Sequence, residues 1–351
     1  MPDGATTPLL SLDHEELVIR RGRRSGAYTI VAVHSTVRGP ALGGCRMWRY
    51  QSSADGARDA LRLSRAMTFK AAAADIALGG GKGVICADPG PPPSGRRRRD
   101  VLLDYADTVN ALDGRYVTAE DVGTSARDMA VIAGGTPHVR GLSRSKGGSG
   151  DPSPYTAIGV DAAIRACCER AFGSGGLEGR TIAVIGAGRV GSRLAKRLAK
   201  AGAKLLVADI DESKRELVEG LPGARWVDPS SALLAEVDVV APCALGGAVD
   251  QVTAAHLRCR VLCGAANNQL AHDGLAEDLR ARGILYGPDF IANAGGLINI
   301  AVEIEGYDAG RARRRVAQVG DTMREVLDRA EAEDVTPFEA AYTLARARLG
   351  G

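Results

Sequence analysis

The sequence is poor in aromatic residues and carries almost no excess charge. Phe, Trp and Tyr together make up 4% of its 351 residues, and 45 basic side chains face 42 acidic ones, for a formal net charge of +3. Nucleic-acid-binding proteins usually concentrate basic residues on one surface, often with aromatic residues that stack on bases. The composition therefore gives no reason to expect a nucleic-acid partner.

One short segment departs from this balance, the basic run from Arg96 to Arg99, which follows a proline-rich stretch. It could form a phosphate or nucleic-acid patch, or a solvated loop that leads into a helix. We favour the loop because no aromatic residues are interleaved with the charges.

The chain also lacks a CxxC pair, although it has seven cysteines. Cys167 and Cys168 are adjacent, and Cys259 and Cys263 lie in a strand-like segment, but neither pair has a His or Cys cluster nearby. A zinc site needs such a cluster, so no metal site is predicted. Reduced and mostly buried thiols are the better interpretation, and they fit a cytoplasmic protein.

Long apolar runs are missing as well. No segment approaches the roughly 20 apolar residues of a membrane span, and the first 30 residues lack an apolar core followed by a cleavage site. We therefore expect a cytoplasmic protein with no membrane partner.

The length of the chain favours two domains. A segment dense in Gly, Ser and Pro, residues 142–154, indicates the boundary. We predict an α/β substrate-binding and catalytic domain over 1–144, with C-terminal helices 326–351 packing back on it. A Rossmann-type NAD-binding domain is predicted over 145–325, separated from the first by a cleft. Alternating strand and helix patterns support this α/β class; they predict strands over 27–33, 115–118, 181–185 and 204–208, and helices over 53–70, 100–112, 154–171, 192–201, 309–333 and 337–349.

The most specific motif follows the apolar strand 181–185. Gly186-Ala187-Gly188-Arg189-Val190-Gly191 leads from it into a helical run. Gly186 allows the tight turn, Gly188 lets the backbone approach a pyrophosphate at the helix N-terminus, and Gly191 allows close helix–strand packing. This context predicts a dinucleotide site, whose ligands include Gly186, Gly188, Arg189, Val190 and Gly191.

An acidic residue extends this motif. The apolar run 204–208 ends in Asp209, 18 residues after the last glycine, where a carboxylate accepts hydrogen bonds from the adenosine ribose. The same carboxylate should repel a 2′-phosphate, so NAD is favoured over NADP. Arg215 is close enough in sequence to keep NADP open.

The first half offers candidate catalytic residues. Lys70 and Lys82 are twelve residues apart, and Lys82 is surrounded by four glycines, which would let a substrate approach closely. Partial burial beside another cation lowers the pKa of a lysine and makes it a usable general base. A nearby carboxylate such as Asp121 could then manage a proton or hold a substrate ammonium group. Spacing alone leaves solvated surface lysines as an equal alternative.

At these residues the sequence resembles the amino-acid dehydrogenase family that contains the glutamate, leucine, valine and phenylalanine enzymes, and especially the branch of the last three. The resemblance spans nearly the whole chain in collinear order. The matching stretches are 39–48 (GPALGGCRMW), 66–70 (AMTFK), 79–85 (GGGKGVI), 115–124 (RYVTAEDVGT), 150–156 (GDPSPYT), 241–247 (APCALGG), 264–270 (GAANNQL) and 288–298 (PDFIANAGGLI).

The resemblance implies a reaction and roles for the matching positions. The reaction would be reversible, NAD-dependent oxidative deamination of an L-amino acid to a 2-oxo acid and ammonia, in a homo-oligomer. Lys82 would be the general base, Asp121 would stabilise the ammonium group and help transfer protons, and Lys70 would bind the substrate carboxylate. The remaining implied contacts are Gly43 and Gly44 in the pocket wall, Asn267 near carboxylate and cofactor, Thr156 at the nicotinamide amide, and Ala244, Leu245 and Asn293 on the dinucleotide side.

Specificity is implied at four further positions around the substrate side chain, namely Leu42, Ala119, Leu297 and Ile300. None is charged, so an apolar amino acid is favoured over glutamate. The leucine and valine enzymes typically carry valines at the last two positions, and one added methylene shifts discrimination by about 1–3 kcal/mol. We therefore expect a short branched or linear aliphatic substrate. Residues 318–344 read more like the phenylalanine enzymes, which keeps an aromatic substrate open.

Two other classes remain to be compared. A non-catalytic NAD-binding regulatory protein would explain the glycine motif but not the segments around Lys70 and Lys82. A 2-hydroxy-acid dehydrogenase would need a histidine acid/base paired with a carboxylate, and none of the five histidines has a persuasive setting. Both explain less of the sequence than an amino-acid dehydrogenase does.

Overall fold

The structure is a computed structural model that describes residues 13–87, 90–244 and 246–350. Contacts divide the chain into two compact units, 1–72 with 77–146 and 73–76 with 147–351. The division after Lys146 falls two residues beyond the boundary expected from composition.

The first unit is built on a five-stranded mixed sheet in the order β1-β2-β4-β3-β5. β2 pairs antiparallel with β1 and β4, whereas β3 runs parallel to both β4 and β5. Three helices accompany the sheet. The bounds are β1 Glu16–Arg21, β2 Tyr28–Ser35, β3 Ala41–Arg49, β4 Gly79–Ala87, β5 Tyr116–Glu120, α1 Ser53–Ala73, α2 Gly95–Asn110 and α3 Ala126–Ile132.

The two faces of this sheet have different partners. Val31, Cys45 and Ile85 belong to an apolar core shared with α2 and α3. Their neighbours one residue along each strand point the other way, since side chains alternate across a sheet. On that side Val84 packs with Ala60 of α1 in a second cluster. The face beneath α1 therefore also carries the even-numbered positions of β3 and β4.

The second unit contains a six-stranded sheet in which every pairing is parallel, ordered β11-β10-β9-β6-β7-β8. The strand order reverses between β6 and β9, the point at which doubly wound sheets bind dinucleotides. The strands are β6 Thr181–Ile185, β7 Lys204–Ala208, β8 Ala224–Trp226, β9 Val239–Pro242, β10 Val261–Leu262 and β11 Leu285–Tyr286.

Helices connect these strands and continue to the C-terminus. None of the helices in the described ranges is long and apolar enough to cross a membrane. Their bounds are α4 Ser153–Phe172, α5 Gly191–Lys200, α6 Arg215–Glu219, α7 Pro229–Leu233, α8 Gln251–His256, α9 Leu275–Ala281, α10 Asp289–Ala292, α11 Gly295–Ile304, α12 Ala309–Ala317, α13 Val319–Ala332 and α14 Pro337–Leu349.

The C-terminal helices, including residues 326–350, group with the second unit by their contacts. α13 packs on α4, where Arg324 donates to Glu169, and Phe338 of α14 lies against Tyr286 of β11. The packing of helices 326–351 on the first domain stays a prediction.

The basic run 96–99 needs correction, because it forms the first turn of α2 and not a loop. Arg98 makes two hydrogen bonds with Asp128 of α3, with Nε–Oδ1 at 2.7 Å and Nη2–Oδ2 at 2.8 Å. This ion pair links α2 to α3, and Arg96, Arg97 and Arg99 remain exposed.

Candidate active site

Lys82 lies on β4, on the sheet face that α1 covers, and only 5% of its surface is exposed. The glycines beside it have a packing role that the sequence did not reveal. A Cβ on Gly81 would lie 2.6 Å from the Tyr116 ring, and one on Gly83 would lie 1.8 Å from the Tyr105 hydroxyl. Both tyrosines pack on the opposite face, so these glycines bring the sheet close to its core.

Asp121, directly after β5, brings a carboxylate to this lysine. Lys82 Nζ donates to Asp121 Oδ2 at 2.5 Å. Arg46 of β3 donates to the same oxygen through Nε at 3.1 Å. Two cations thus share one carboxylate oxygen. This contact holds Lys82 in place and allows Asp121 to exchange a proton with it.

Burial and charge act together on these groups. Burial lowers the pKa of the Lys82 ammonium below its ordinary value; the charge of Asp121 opposes this effect and the charge of Arg46 adds to it. Burial would raise the pKa of the Asp121 carboxyl, but the Lys82 and Arg46 charges hold that pKa below its ordinary value. The result is an ionised carboxylate beside a lysine that gives up its proton more readily than a solvated one.

Gly43 and Gly44 allow this arrangement by lacking side chains. A Cβ on Gly43 would lie 1.9 Å from the carbonyl oxygen of Gly81 on the neighbouring strand. A Cβ on Gly44 would lie 2.7 Å from Cβ of Asp121. The predicted pocket glycines therefore lie beside Asp121 and the Lys82 strand.

The two specificity positions in this unit are enclosed. Leu42 is 1% exposed and Ala119 is 3% exposed. Ala119 pairs with Gly44 in the β3–β5 ladder, which places it close to Asp121 along the same strand end. Contact between these side chains and a substrate stays a prediction.

Lys70 lies in the last turn of α1 and is half-buried. Thr68, two residues earlier, packs directly over β4, since a Cβ on Gly80 would lie 2.1 Å from its backbone nitrogen. The end of α1 that carries Lys70 therefore covers the strand that carries Lys82.

The glycine motif of the second unit has the predicted form. Gly186 has φ +108°, which favours glycine, and a Cβ there would lie 2.8 Å from the backbone nitrogen of Ala244. A Cβ on Gly191 would lie 1.8 Å from the Gly186 carbonyl oxygen, whereas one on Gly188 would meet no atom within 4 Å. The loop is packed against neighbouring backbone at Gly186 and Gly191. At Gly188, next to the N-terminus of α5, there is free space beside the backbone. Arg189 is exposed and Val190 is half-buried.

Asp209 stands at the end of β7 and joins this loop. Its Oδ2 accepts from the Ala187 N–H at 2.6 Å, and its Oδ1 accepts from the Asp211 N–H at 2.9 Å. Arg215, the residue that kept NADP open, instead pairs with Glu219 of its own helix at 2.9 Å.

Residues that follow β9 and β10 gather at the same sheet edge. A Cβ on Gly246 would lie 2.4 Å from the carbonyl oxygen of Asn267, and Ala244 is exposed beside Gly186. Asn293 is 5% exposed, and its amide donates to Asn267 Oδ1 at 2.9 Å. Asn293 thus orients Asn267. Leu245, the other predicted dinucleotide contact, lies outside the described residues.

The remaining predicted residues lie on α4 and α11. Thr156 is half-buried in the first turn of α4, and a Cβ on Gly296 would lie 2.8 Å from its Oγ1. Leu297 is 7% exposed and Ile300 is half-buried one turn further along α11. The close approach of the two helices thus fixes the position of Thr156 relative to the two specificity positions on α11.

Sequence reasoning missed Arg46 and its second partner, Asp59 of α1. Arg46 Nη1 donates to Asp59 Oδ2 at 3.0 Å, and the Tyr50 hydroxyl donates to the same oxygen at 2.7 Å. A signal was present, because Arg46 lies two residues after Gly44 and so points to the same face of β3. A charged residue inside a mostly apolar strand usually has a specific partner.

Comparison with family models agrees with this division of the chain. A model described as "Glu/Leu/Phe/Val dehydrogenase, dimerisation domain" matches residues 16–138, and one described as "Glutamate/Leucine/Phenylalanine/Valine dehydrogenase" matches residues 206–350. A third, the NAD-binding domain of D-isomer specific 2-hydroxyacid dehydrogenases, matches residues 162–246. The third match covers the glycine motif and its flanking strands.

Characterised relatives align along almost the full chain. The leucine dehydrogenase of Bacillus subtilis (strain 168) is 42% identical over 96% of this chain and 92% of its own length. The valine dehydrogenase of Streptomyces albus is 42% identical, with the same two coverages. Among solved structures, L-tryptophan dehydrogenase from Nostoc punctiforme is 37% identical, covers 97% of both chains and has a TM-score of 0.84.

Proposed function

Because this chain belongs to the glutamate/leucine/phenylalanine/valine dehydrogenase family and is an NAD-dependent amino-acid dehydrogenase, we propose that it reversibly deaminates a short or branched aliphatic L-amino acid, such as valine or leucine. The substrate α-carbon would lose a hydride to NAD, and water would replace the nitrogen to give a 2-oxo acid and ammonia. The observation that carries the proposal is the buried contact of Lys82 Nζ with Asp121 Oδ2 at 2.5 Å.

Lys82 is assigned the proton chemistry. In its unprotonated form it takes a proton from the water molecule that attacks the imine carbon of the substrate. Burial favours this form by lowering the pKa of the lysine. Asp121 holds the substrate ammonium group and passes protons to and from Lys82, and Lys70 binds the substrate carboxylate.

The second unit is assigned the dinucleotide. The open position at Gly188 and the N-terminus of α5 suit a pyrophosphate, since helix N-termini offer unpaired N–H groups to anions. Thr156 is assigned to the nicotinamide amide, and Asn267 to the substrate carboxylate and the cofactor. Ala244, Leu245 and Asn293 are assigned to the dinucleotide side, where Asn293 also donates to Asn267. Bound NAD supplies the hydride acceptor, which no side chain of this chain can replace.

NAD is the cofactor, and two features bear on discrimination against NADP. Asp209 presents a carboxylate at the end of β7, where the adenosine ribose binds in this motif. Arg215 pairs with Glu219 of its own helix on an exposed surface, so its charge toward a 2′-phosphate is partly compensated. We propose that these two residues make NAD the preferred dinucleotide.

The aliphatic substrate class is supported by the four uncharged specificity positions. Leu297 and Ile300 lie on the same side of α11, three residues apart. They are larger than the valines typical of the leucine and valine enzymes, which favours a smaller substrate side chain. The leucine and valine relatives named above are both 42% identical to this chain, so the choice between the two substrates rests on these positions.

An aromatic substrate is the second candidate, because a tryptophan dehydrogenase shares 37% of its residues with this chain over 97% of the length. A large ring would need more space than Leu297 and Ile300 leave if both point at the substrate. Aromatic amino acids therefore belong in the same assay.

Assembly and location complete the proposal. We propose that the protein works in the cytoplasm and forms a homo-oligomer. The assembly is supported by the match of residues 16–138 to a domain described as a dimerisation domain. Light scattering coupled to gel filtration tests the assembly. A mass equal to one 36.5 kDa chain at micromolar concentration would contradict it.

The substrate class is tested by NADH formation from NAD with L-valine, L-leucine, L-2-aminobutyrate, L-phenylalanine, L-tryptophan and L-glutamate. The proposal predicts the highest kcat/KM for an aliphatic amino acid and lower values with NADP in place of NAD. Highest kcat/KM with an aromatic amino acid would replace the aliphatic proposal with its alternative. Glutamate as the best substrate would contradict both.

A further inference from the structure

Arg46 bridges two carboxylates on the site face of the first sheet. Its Nε donates to Asp121 Oδ2 at 3.1 Å and its Nη1 donates to Asp59 Oδ2 at 3.0 Å. The arginine side chain is 23% exposed and that of Asp59 is 16% exposed, so water competes little for these bonds. One planar guanidinium thus joins β3, α1 and the segment after β5.

Asp59 is itself held in place. The Tyr50 hydroxyl donates to its Oδ2 at 2.7 Å, and Arg62 Nη2 donates to its Oδ1 at 3.0 Å. Both carboxylate oxygens are therefore occupied, and the carboxylate cannot turn away from Arg46. Asp59 acts as a fixed anchor for the guanidinium.

We propose that Arg46 is a positioning residue for the reaction, which holds Asp121 beside Lys82 and keeps the Lys82 ammonium able to release its proton. The proposal rests on the proposed function, in which Lys82 is the general base. Asp59 supports this role by fixing Arg46, and neither residue touches the reacting atoms.

The physical reason lies in what remains after Lys82 loses its proton. A lysine whose only neighbour is a carboxylate 2.5 Å away holds its proton tightly, because deprotonation would leave an uncompensated buried anion. Arg46 changes this balance, since it binds the same Asp121 oxygen. After deprotonation, Arg46 and Asp121 remain as a neutral pair and Lys82 becomes a free base.

The groups that act electrostatically on Lys82 agree with this view. Burial and the Arg46 charge lower the pKa of Lys82, while Asp121 and the more distant Asp59 raise it. In the neighbouring core, burial raises the pKa values of the Cys45 thiol and of the Tyr105 and Tyr116 hydroxyls, so these groups stay neutral. The charged groups that act on Lys82 are Asp121 after β5, Arg46 on β3 and Asp59 on α1. Lys70 is a further cation, in the last turn of the α1 end that covers β4. Cys45, Tyr105 and Tyr116 belong to the core on the opposite face of the sheet.

The alternative is that Arg46 only ties a strand to a helix. Its loss would then reduce stability, and it would not change the pH at which Lys82 titrates. Position and charge can be separated by two variants, Arg46→Gln, which removes the cation, and Arg46→Lys, which keeps it but has a single donor nitrogen for two carboxylates. Arg58→Gln is the matched control, because Arg58 pairs with Asp55 on the exposed side of the same helix.

The first readout is the pH dependence of kcat/KM. The base must be unprotonated, so kcat/KM rises with pH through the pKa of the free enzyme's base. We expect Arg46→Gln to move this acid limb to higher pH by about one unit or more, because a cation is lost beside Lys82. In Arg46→Lys the acid limb should lie close to its pH in the unaltered protein, and in Arg58→Gln it should lie at the same pH as in the unaltered protein.

The second readout does not depend on catalysis. Competitive acetylation with trace acetic anhydride, followed by mass spectrometry of the Lys82 peptide, gives the pH at which this amine titrates. Movement of both readouts to higher pH in Arg46→Gln supports the proposal. A shift in the titration of Lys82 without a shift in kcat/KM would leave the action of Arg46 on Lys82 intact and reject Lys82 as the base.

Unchanged titration in Arg46→Gln, whatever the loss of kcat, would overturn the proposal and leave a structural ion pair. If Arg46→Gln does not fold, the double variant Arg46→Met with Asp59→Asn removes both charges together. Removing both partners of a buried ion pair costs less stability than removing one. The double variant should show a smaller shift in the same direction, because Arg46 acts on Lys82 more strongly than Asp59 does. Absence of that shift would also overturn the proposal.

Discussion

Replacing Asp121 with asparagine removes one charge from the centre of the site and keeps the shape of the side chain. Lys82 Nζ and Arg46 Nε lie 2.5 and 3.1 Å from the same Asp121 oxygen, so the two nitrogens are at most about 5.6 Å apart. At an effective permittivity near 20, two unit charges at this distance repel by about 3 kcal/mol. The variant also loses the attraction that raises the pKa of Lys82.

The variant should therefore lower the pKa of Lys82 further. We expect the acid limb of kcat/KM to move to lower pH by at least about one unit, the direction opposite to that expected for Arg46→Gln. The maximum rate should fall as well, because the assigned partner of the substrate ammonium group is lost. The pH profile separates these two effects, since it reports the titration of the base and not the height of the plateau.

Stability provides an independent check by urea unfolding at several pH values. Loss of one partner of a buried ion pair costs about 3–5 kcal/mol. The folded pKa of Lys82 lies below its unfolded value, so the unfolded chain binds more protons between the two, and stability rises with pH there. In the variant the folded pKa of Lys82 is lower, so its stability begins to rise at a lower pH than that of the unaltered protein. The loss of unfolding free energy caused by Asp121→Asn should therefore shrink with rising pH, by about 1.4 kcal/mol for each unit by which the two folded pKa values differ. A deficit that does not change with pH, or an acid limb that moves upward, would contradict this prediction. Asp113→Asn, in the exposed turn after α2, is the control and should change neither quantity.

Four further substitutions test the packing of the glycines, the choice of dinucleotide and the choice of substrate. Gly43→Ala should destabilise the fold by more than about 4 kcal/mol in urea unfolding, because its Cβ would lie 1.9 Å from the Gly81 carbonyl oxygen, whereas Gly188→Ala should leave stability unchanged and weaken NAD binding in calorimetry. Equal stability of the two variants would contradict the packing argument. Asp209→Asn should reduce the ratio of kcat/KM with NAD to that with NADP at least tenfold, and an unchanged ratio would reject the carboxylate as discriminator. Leu297→Ala should lose about 2–5 kcal/mol of stability and gain activity on bulkier amino acids; an unchanged substrate profile would remove Leu297 from the specificity argument.

Local patterns predicted the dinucleotide unit well. A continuous apolar run marks a parallel strand that is buried on both faces. The predicted strands 181–185 and 204–208 therefore have the same bounds as β6 and β7. Long-range pairing was not predictable in the same way. β3 follows β2 in the chain but pairs with β4 and β5, because nothing in the period of a strand specifies its neighbour.

The candidate site was predicted in part. The resemblance supplied Lys82 and Asp121, and the structure joins them at 2.5 Å. Spacing alone could not have done so, because the pair spans 39 positions of sequence and forms only when β4 and β5 flank β3. Arg46 was overlooked because its two partners come from different elements. The glycines around Lys82 were explained by substrate approach, whereas Gly81 and Gly83 face tyrosines of the core.

The central claim is that Lys82 is the general base of an amino-acid dehydrogenase. The most direct measurement is NADH formation by Lys82→Ala with the best aliphatic amino acid, beside Lys204→Ala as a control at an exposed lysine of β7. We expect Lys82→Ala to lose at least about a hundredfold in kcat and still to bind NAD, and Lys204→Ala to keep full activity. Near-normal turnover by Lys82→Ala would reject Lys82 as the general base and assign the proton chemistry to another group.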